Sequence, residues 1–309
     1  MPIFNIQNKK LFPIKEKEID LEKEIQKLTE ENLETIFDLE FVSTEFALQN
    51  FRIDTLAFDK GADTFVIIEY KRGRSFSVID QGYAYLALML NNKADFVLEY
   101  NEKTKGNLKR KNVDWSQSRV LFLSQSFTTY QQNAMNFRDL PIELWEVKAY
   151  DNSTILYNQL LSPEARESIK TITKNETVEN VSREIKKYSI DDYFKPGWGN
   201  SKELFEDIRI KILELDSRIE EKASKFYIGY QIDRKNMVGI RIRQSKIIID
   251  FTRTQPKDLD DPKKRLRYRK NSLKYWNQHI SELDINNKND IDYATLLIKQ
   301  AYNKFINKL

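Results

Sequence analysis

The chain has 309 residues, of which 32% are charged and 12% aromatic, and it contains no cysteine and one histidine, His279. This length is enough for two domains with buried cores, and aromatic residues spread along the chain argue against a disordered protein. The absence of cysteine excludes disulfides, thiolate zinc sites and a cysteine nucleophile, and a single histidine excludes histidine-cluster metal sites. Carboxylates, lysines and hydroxyls must therefore perform any chemistry.

The two halves of the chain differ in charge. Residues 1–150 hold 20 Lys and Arg against 23 Asp and Glu, a net charge of −3, whereas residues 151–309 have a net charge of +7. A basic second half permits a polyanionic partner, although a general abundance of lysine in the composition produces the same excess.

Targeting and membrane segments are not evident in the sequence. The first residues lack the apolar core of a signal peptide, and the longest apolar run, residues 83–90, is too short to cross a membrane. We therefore expect a cytoplasmic protein without a membrane partner.

In the first half, apolar residues at helical spacing predict a helix over residues 20–37. Three strand-like runs follow, at residues 39–46, 51–58 and 64–71. A helix over residues 75–91 then precedes a run at 94–100 that is interpreted as a strand, a basic loop at 101–117, and strands at 120–124 and 142–150. Helices alternating with strands in this order predict an α/β sheet covered by helices.

In the second half, a charged stretch predicts a helical linker, and Ser201 is the predicted N-cap of a helix. Three strands are predicted at residues 226–232, 237–243 and 246–253, followed by a closing helix through Tyr293. The predicted organisation is a first domain over residues 1–160, a helical linker over 161–190 and a smaller, basic α+β domain over 191–309.

One group of residues has the composition of a catalytic site. Asp54 lies on the second predicted strand, and Glu69 and Lys71 lie on the third, two positions apart and so on one face of it. In a hairpin, Asp54 and Glu69 become neighbours. Two carboxylates beside an ammonium form an oxygen site suited to Mg²⁺ or Mn²⁺, with the lysine able to hold a water molecule.

The Glu-x-Lys pattern alone has no value as a signal, because it recurs at Glu146/Lys148, Glu184/Lys186 and Glu220/Lys222. In each copy the simpler explanation is a solvated ion pair worth about 0–1 kcal/mol. The copy at Glu69 differs because an Asp-bearing strand precedes it and a helix presenting Gln81 and Tyr85 one turn apart follows it.

The stretch from Glu24 to Leu90 resembles the PD-(D/E)XK nuclease superfamily, in particular its NucS-like branch. The residues that carry this resemblance are Asp54, Glu69-Tyr70-Lys71 and Gln81. The family's Pro is replaced by Ile53. The resemblance implies a restriction-endonuclease-like αβββαβ core and Mg²⁺- or Mn²⁺-dependent hydrolysis of nucleic acid, with DNA as the expected substrate. A homodimer is an open alternative to a monomer.

The resemblance also assigns roles to individual residues. It implies that Asp54, Glu69 and the carbonyl of Tyr70 bind the metal, that Lys71 positions the attacking water, and that Gln81 belongs to the site. Family members often add a glutamate from the first helix. Glu24 is the expected residue here, with Glu22 and Glu31 as alternatives.

The second half resembles a poorly characterised bacterial domain found behind such nuclease-like domains, and this resemblance supplies no catalytic residue. Basic residues in two places are expected to contact phosphates. Two lie just after the motif and six in the densest basic run of the second half: Arg72, Arg74, Lys263, Lys264, Arg265, Arg267, Arg269 and Lys270. For the second run a solvated surface is an equally good interpretation.

The sequence thus predicts a metal-dependent nuclease with a second domain that binds nucleic acid or a partner. The rival hypothesis is a nucleic-acid-binding or adaptor protein that uses the nuclease-like fold as a scaffold and has no catalytic activity.

Overall fold

The structure, a computed structural model, describes residues 2–17, 22–71, 77–135, 137, 139–161, 175–186, 188–273 and 278–307. The chain is mixed α/β and divides into two compact units, residues 1–186 and 187–309. Among the described residues, no helix is long and apolar enough to cross a membrane.

The first unit contains a two-stranded hairpin, a larger sheet and six helices in its described part. Its strands are β1 (Ile3–Gln7), β2 (Lys10–Ile14), β3 (Glu16–Lys17), β4 (Glu40–Leu48), β5 (Phe51–Asp59), β6 (Thr64–Lys71), β7 (Arg119–Ser124), β8 (Ile142–Tyr150) and β9 (Ile155–Leu160). Its helices are α1 (Glu22–Glu31), α2 (Leu33–Phe37), α3 (Val78–Asn91), α4 (Lys93–Thr104), α5 (Thr129–Asn133) and α6 (Glu176–Glu184).

The larger sheet has the strand order β3-β8-β7-β6-β5-β4, with β9 also paired to β8. Strands β4, β5 and β6 form an antiparallel meander, and β6, β7 and β8 run parallel. Successive residues of β6 serve opposite faces: Phe65 and Ile67 join the core beneath α3 and α4, whereas Val66 and Ile68 join the core beneath α1 and α2. Strand β6 is buried on both sides, which explains its continuous apolar sequence.

The predicted strand at residues 94–100 is wrong, because these residues belong to helix α4. Phe96 and Tyr100, four positions apart, both pack against Phe65 on one face of the sheet. A short apolar run fits a strand or a buried helix, and here the spacing of four residues decided for the helix. The order of one helical segment, three antiparallel strands, a helix and a parallel strand is otherwise present, with α4 inserted before β7.

The predicted linker over residues 161–190 is only partly described, since residues 162–174 lie outside the described part of the chain. Its second half is not a linker. Helix α6 places Val178 and Val181 in the first core, and Ile185 follows them there.

The second unit is an antiparallel sheet of six strands with two helices in its described part. Its elements are α7 (Gly199–Leu213), β10 (Glu220–Ala223), β11 (Ile228–Ile232), β12 (Lys235–Ile242), β13 (Ile247–Thr252), β14 (Arg267–Tyr268), β15 (Ile280–Ile285) and α8 (Ile291–Ile306). The strand order is β10-β11-β12-β13-β15-β14. Alternate residues such as Ile240, Ile249 and Leu283 form the core with α7 and α8.

Ser201 is not the N-cap of α7, because the helix begins at Gly199. The side chain of Ser201 is fully buried, and its Oγ donates to the carbonyl oxygens of Arg243 and Gln244 at 2.5 and 2.8 Å. This serine ties the first turn of α7 to the loop after β12.

Candidate active site

The site is formed where β5 and β6 part from each other. Their antiparallel pairing ends at the pair Thr55–Ile68. Asp54 is the residue just before Thr55 on β5, and Glu69 is the residue just after Ile68 on β6. From there, side chains take over the backbone hydrogen bonds: the N–H of Asp54 donates to Oε1 of Glu69 at 3.2 Å, and the N–H of Tyr70 donates to Oδ2 of Asp54 at 3.0 Å. Each carboxylate is therefore held by the strand that carries the other.

Lys71 joins this pair from the end of β6. Its Nζ donates to Oε2 of Glu69 at 3.2 Å, as expected for two residues on the same face of a strand. The side chain of Glu69 is 2% exposed, whereas that of Lys71 is 22% exposed. The ammonium thus lies between a buried carboxylate and solvent.

Burial raises the pKa of both carboxyl groups, and nearby negative charges add to each shift. The pKa of Glu69 is raised from 4.5 to about 7, first by desolvation and then by the charge of Asp54, with Lys71 acting in the opposite direction. The pKa of Asp54 is also raised, mainly by desolvation, against a hydrogen bond from the Tyr70 backbone and the charge of Lys71. Two carboxylates that repel each other in a buried place favour a proton or a cation between them.

Two further acidic side chains act on Asp54. Glu45 lies opposite Asp54 in the register of β4 and β5, and Glu22 lies in the first turn of α1; both charges raise the pKa of Asp54. Glu24, the glutamate expected from the first helix, is exposed, as is Glu31. Glu22 is exposed as well, and of these three glutamates it is the one whose charge raises the pKa of Asp54.

Gln81 and Tyr85 lie one turn apart on α3. Nε2 of Gln81 donates to the Tyr85 hydroxyl at 3.4 Å. Burial raises the pKa of Tyr85, and the negative charge of Glu69 adds to this shift. The helix therefore places Tyr85 near Glu69 and Gln81 beside Tyr85.

Gln26, on α1, supports Asp54 from the other face of the sheet. Its Nε2 donates to the carbonyl oxygen of Asp54 at 3.0 Å, to Oε1 of Glu30 at 3.0 Å and to Oγ1 of Thr44 at 3.1 Å. The pairing of β4 with β5 is interrupted at Glu45, whose φ is 52°, so Gln26 supplies a partner to the Asp54 carbonyl at this gap. Sequence reasoning missed Gln26 and Glu45, because neither role is visible without the register of the strands.

The donor set fits a hard divalent cation. Asp54 and Glu69 offer carboxylate oxygens, which are the ligands that Mg²⁺ and Mn²⁺ prefer. The described residues contain no group of three or more His, Asp or Glu arranged to hold a metal ion. The protein thus supplies two carboxylates, and the remaining ligands would be backbone oxygen, water or substrate.

The other Glu-x-Lys copies have different surroundings. Lys148 pairs with Glu16 at 3.5 Å, Glu184 pairs with Lys93, and Glu220 and Lys222 lie on the edge strand β10. The Glu69 copy differs from these, because Glu69 is buried and lies beside the half-buried Asp54 and near the helix that carries Gln81 and Tyr85.

Three arginines of the basic run at residues 263–270 are engaged in ion pairs with carboxylates of the same unit. Arg265 pairs with Asp290, Arg267 with Asp284 at 2.7 Å, and Arg269 with Asp250 at 3.3 Å. Lys263 lies over the ring of Tyr293 at 4.8 Å. Lys264 and Lys270 have no ion pair within the described residues, and Arg72 and Arg74 lie outside them.

Comparisons with known proteins place the chain in a family. Residues 190–304, within the second unit, match a family model described as a domain of unknown function (DUF5655). An uncharacterized protein of Haemophilus influenzae is 43% identical over 302 residues, which cover 97% of this chain and 99% of that protein.

Two solved structures are similar over part of the chain: an EndoMS–dsDNA complex, at 19% identity and a TM-score of 0.29, and a repair endonuclease from Pyrococcus abyssi, at 19% identity and a TM-score of 0.24. The similarity covers 44% and 43% of this chain and half of each of those chains. Such low TM-scores do not establish a common fold. The likeness to the Haemophilus influenzae protein, in contrast, runs through both units, and the chain belongs to the same family as that protein.

Proposed function

We propose that this protein is a metal-dependent nuclease that hydrolyses phosphodiester bonds, with DNA as the expected substrate. The observation that supports this proposal is the reciprocal bonding of Asp54 and Glu69 beside Lys71. A structural ion pair needs one acid and one base. Here two acids share one partly buried place at a cost in desolvation, which is typical of a site built for a cation.

Each side chain has a role that follows from its position. Asp54 and Glu69 would hold Mg²⁺ or Mn²⁺, with the carbonyl of Tyr70 as a third ligand. A bound divalent ion polarises a phosphoryl oxygen and lowers the pKa of a coordinated water. Lys71, which is partly exposed, can orient the attacking water and offset negative charge on the phosphate. Gln81 and Tyr85 can position substrate or water at the same place.

One observation favours the alternative, a nucleic-acid-binding or adaptor protein without catalysis. Within the described part of the chain only two carboxylates meet, and no larger acidic group is arranged for a metal. Calorimetry discriminates between the two. A chain that binds neither Mg²⁺ nor Mn²⁺ but retains salt-sensitive affinity for nucleic acid supports the alternative.

The proposal is tested by cleavage assays on single- and double-stranded DNA and RNA with Mg²⁺ or Mn²⁺. Glu69→Ala and Lys71→Ala are expected to lower the cleavage rate by about 100-fold or more, the usual effect of removing a proton-transfer or charge-stabilising group. Lys148→Ala is the matched control, because it removes the lysine of a strand-borne Glu-x-Lys whose partner is a surface glutamate. Cleavage that survives both site substitutions, or no cleavage by the wild type, contradicts the proposal.

A further inference from the structure

The last turn of α4 and the loop that follows it carry a dense group of cations. Residues 103–111, called here the basic loop, contain five: Lys103, Lys105, Lys109, Arg110 and Lys111. All five are exposed, and the segment contains no acidic residue. Within the described part of the chain none of the five forms an ion pair. The arginines at residues 265–269, in contrast, are paired with carboxylates.

The basic loop is held in place by side chains of the first unit. The side chain of Asn101 forms two hydrogen bonds with the backbone of Leu108. Nδ2 of Asn101 donates to the Leu108 carbonyl at 3.0 Å, and Oδ1 of Asn101 accepts from the Leu108 N–H at 2.6 Å. Nε1 of Trp115 donates to the carbonyl of Arg110 at 3.3 Å, and the Trp115 ring stacks on buried Phe65. Fixing the backbone lowers the entropy lost when the cations engage a ligand.

A polar, cationic surface of this kind fits a chain of phosphates. Leu108, the apolar residue of the loop, packs against the core and is not displayed with the cations. The loop therefore lacks the apolar side chains that would insert into a lipid surface. Its repeated point charges suit a regularly spaced polyanion, since each lysine or arginine that neutralises a phosphate releases bound counterions.

We propose that the basic loop is a docking surface for the nucleic-acid backbone. The inference rests on the proposed function for its choice of nucleic acid as the partner, and it moves the docking surface from the second unit, where the sequence placed it, to the first. Binding at this loop is independent of the chemistry at Asp54 and Glu69.

The loop and the candidate active site lie at opposite ends of β6. Beyond the loop, the N–H of Asp114 donates to the carbonyl of Asp63 at 2.7 Å, in the turn just before β6, whereas Lys71 ends that strand. At about 3.3 Å per residue, the strand spans roughly 23 Å, or about seven base pairs of a duplex. A duplex longer than this is long enough to span both ends of β6.

The test measures binding without cleavage. A fluorescently labelled duplex of about 20 base pairs, long enough to span β6, is titrated with the full chain in EDTA, and anisotropy is followed from about 50 to 200 mM salt. The test variant is the triple Lys109→Ala, Arg110→Ala, Lys111→Ala. The control is the triple Lys263→Ala, Lys264→Ala, Lys270→Ala, which removes the same charge from the second unit.

The basic-loop variant is expected to lose on the order of tenfold in affinity, and the slope of log K against log salt is expected to fall by about 3, close to one for each phosphate contact. The control triple is expected to stay close to wild type. An unchanged affinity of the loop variant, or an equal loss in both triples, overturns the proposal, because net charge alone would then explain binding.

Two controls exclude misfolding and cleavage as causes of a change in affinity. All substituted side chains are exposed, and unchanged thermal melts of the variants confirm that they fold. Since EDTA removes divalent ions, a protein that never cleaves nucleic acid can still pass or fail this test. A failure here leaves the proposed nuclease activity to be judged by the Glu69 and Lys71 variants.

Discussion

The carboxylates of Asp54 and Glu69 replace the backbone hydrogen bonds that their own strands lack. Asp54 N–H donates to Glu69, and the residue after Glu69 donates back to Asp54. The two carboxylates are therefore part of the hydrogen-bonding of the sheet, and they lie on strands and not on a loop. Substitution by alanine removes a backbone acceptor together with a charge, so the amides Asn and Gln, which keep an acceptor oxygen, are the sharper variants.

The raised pKa of Glu69 predicts a pH dependence of stability without metal. Because its pKa is about 7 in the folded chain against 4.5 otherwise, the folded state holds a proton more tightly, and stability falls as pH rises from about 4.5 to 7. The loss is at most about 3 kcal/mol for this buried group. Urea unfolding of wild type and Glu69→Gln at several pH values in EDTA measures it. The variant is expected to lack this component; an identical pH slope in both proteins would contradict the assignment.

Divalent ions are expected to reverse this effect. Mg²⁺ or Mn²⁺ that binds the folded site stabilises it by mass action, by about 2.7 kcal/mol at a hundredfold excess over Kd. Thermal melts with and without metal, at a pH above 7 where Glu69 is ionised, measure the gain. We expect it in the wild type and its loss in Asp54→Asn and Glu69→Gln. A wild type whose melting temperature ignores both ions speaks against a metal site.

Gln26 is predicted to position Asp54. In Gln26→Leu the Asp54 carbonyl loses its donor, which costs about 1–3 kcal/mol and frees the strand to move at the site. We expect about a tenfold lower kcat for metal-dependent cleavage and a shifted pH profile. Thr44→Val is the control, since it removes a different partner of Gln26 and leaves the bond to Asp54. A Gln26→Leu enzyme with reduced stability but an unchanged pH profile would mean that the role is structural only.

The boundary of the first unit is predicted to lie beyond α6. A fragment ending at residue 160 lacks Val178, Val181 and Ile185, whose burial contributes roughly 5 kcal/mol in total. This is comparable with the whole stability of a domain. Circular dichroism melts of fragments 1–160 and 1–186 compare the two, and only the longer one is expected to melt cooperatively. Equal melting of both would show that α6 is dispensable.

Sequence patterns located the strands of the site well because their signals are local. Alternation and turn residues placed β5 and β6 within a residue of their observed ends, and the hairpin between them predicted that Asp54 and Glu69 would meet. The α4 segment failed because a run of seven residues carries too few turns to separate helix from strand.

Roles that depend on contacts between distant residues could not be predicted. The basic run at 263–270 looked free in sequence, yet its arginines meet carboxylates on β13 and β15 and before α8. Gln26 acts across 28 positions of sequence, at a gap in the β4–β5 pairing. Such partners are set by strand register and by helix docking, and neither is encoded in a short window.

The outer strand of the large sheet, β4, is irregular in two places: its register shifts between Phe41 and Ser43, and Glu45 adopts a left-handed conformation. The outer edge of such a strand has free backbone N–H and C=O groups, to which a strand of another molecule can pair. Irregularities of this kind hinder such pairing. Asp54 lies only one strand inward from this border. The irregularity of β4 at which Gln26 bonds to the Asp54 carbonyl would therefore also hinder edge-to-edge association of two molecules beside the carboxylates. The carboxylates of Asp54 and Glu69 would then stay accessible at high protein concentration.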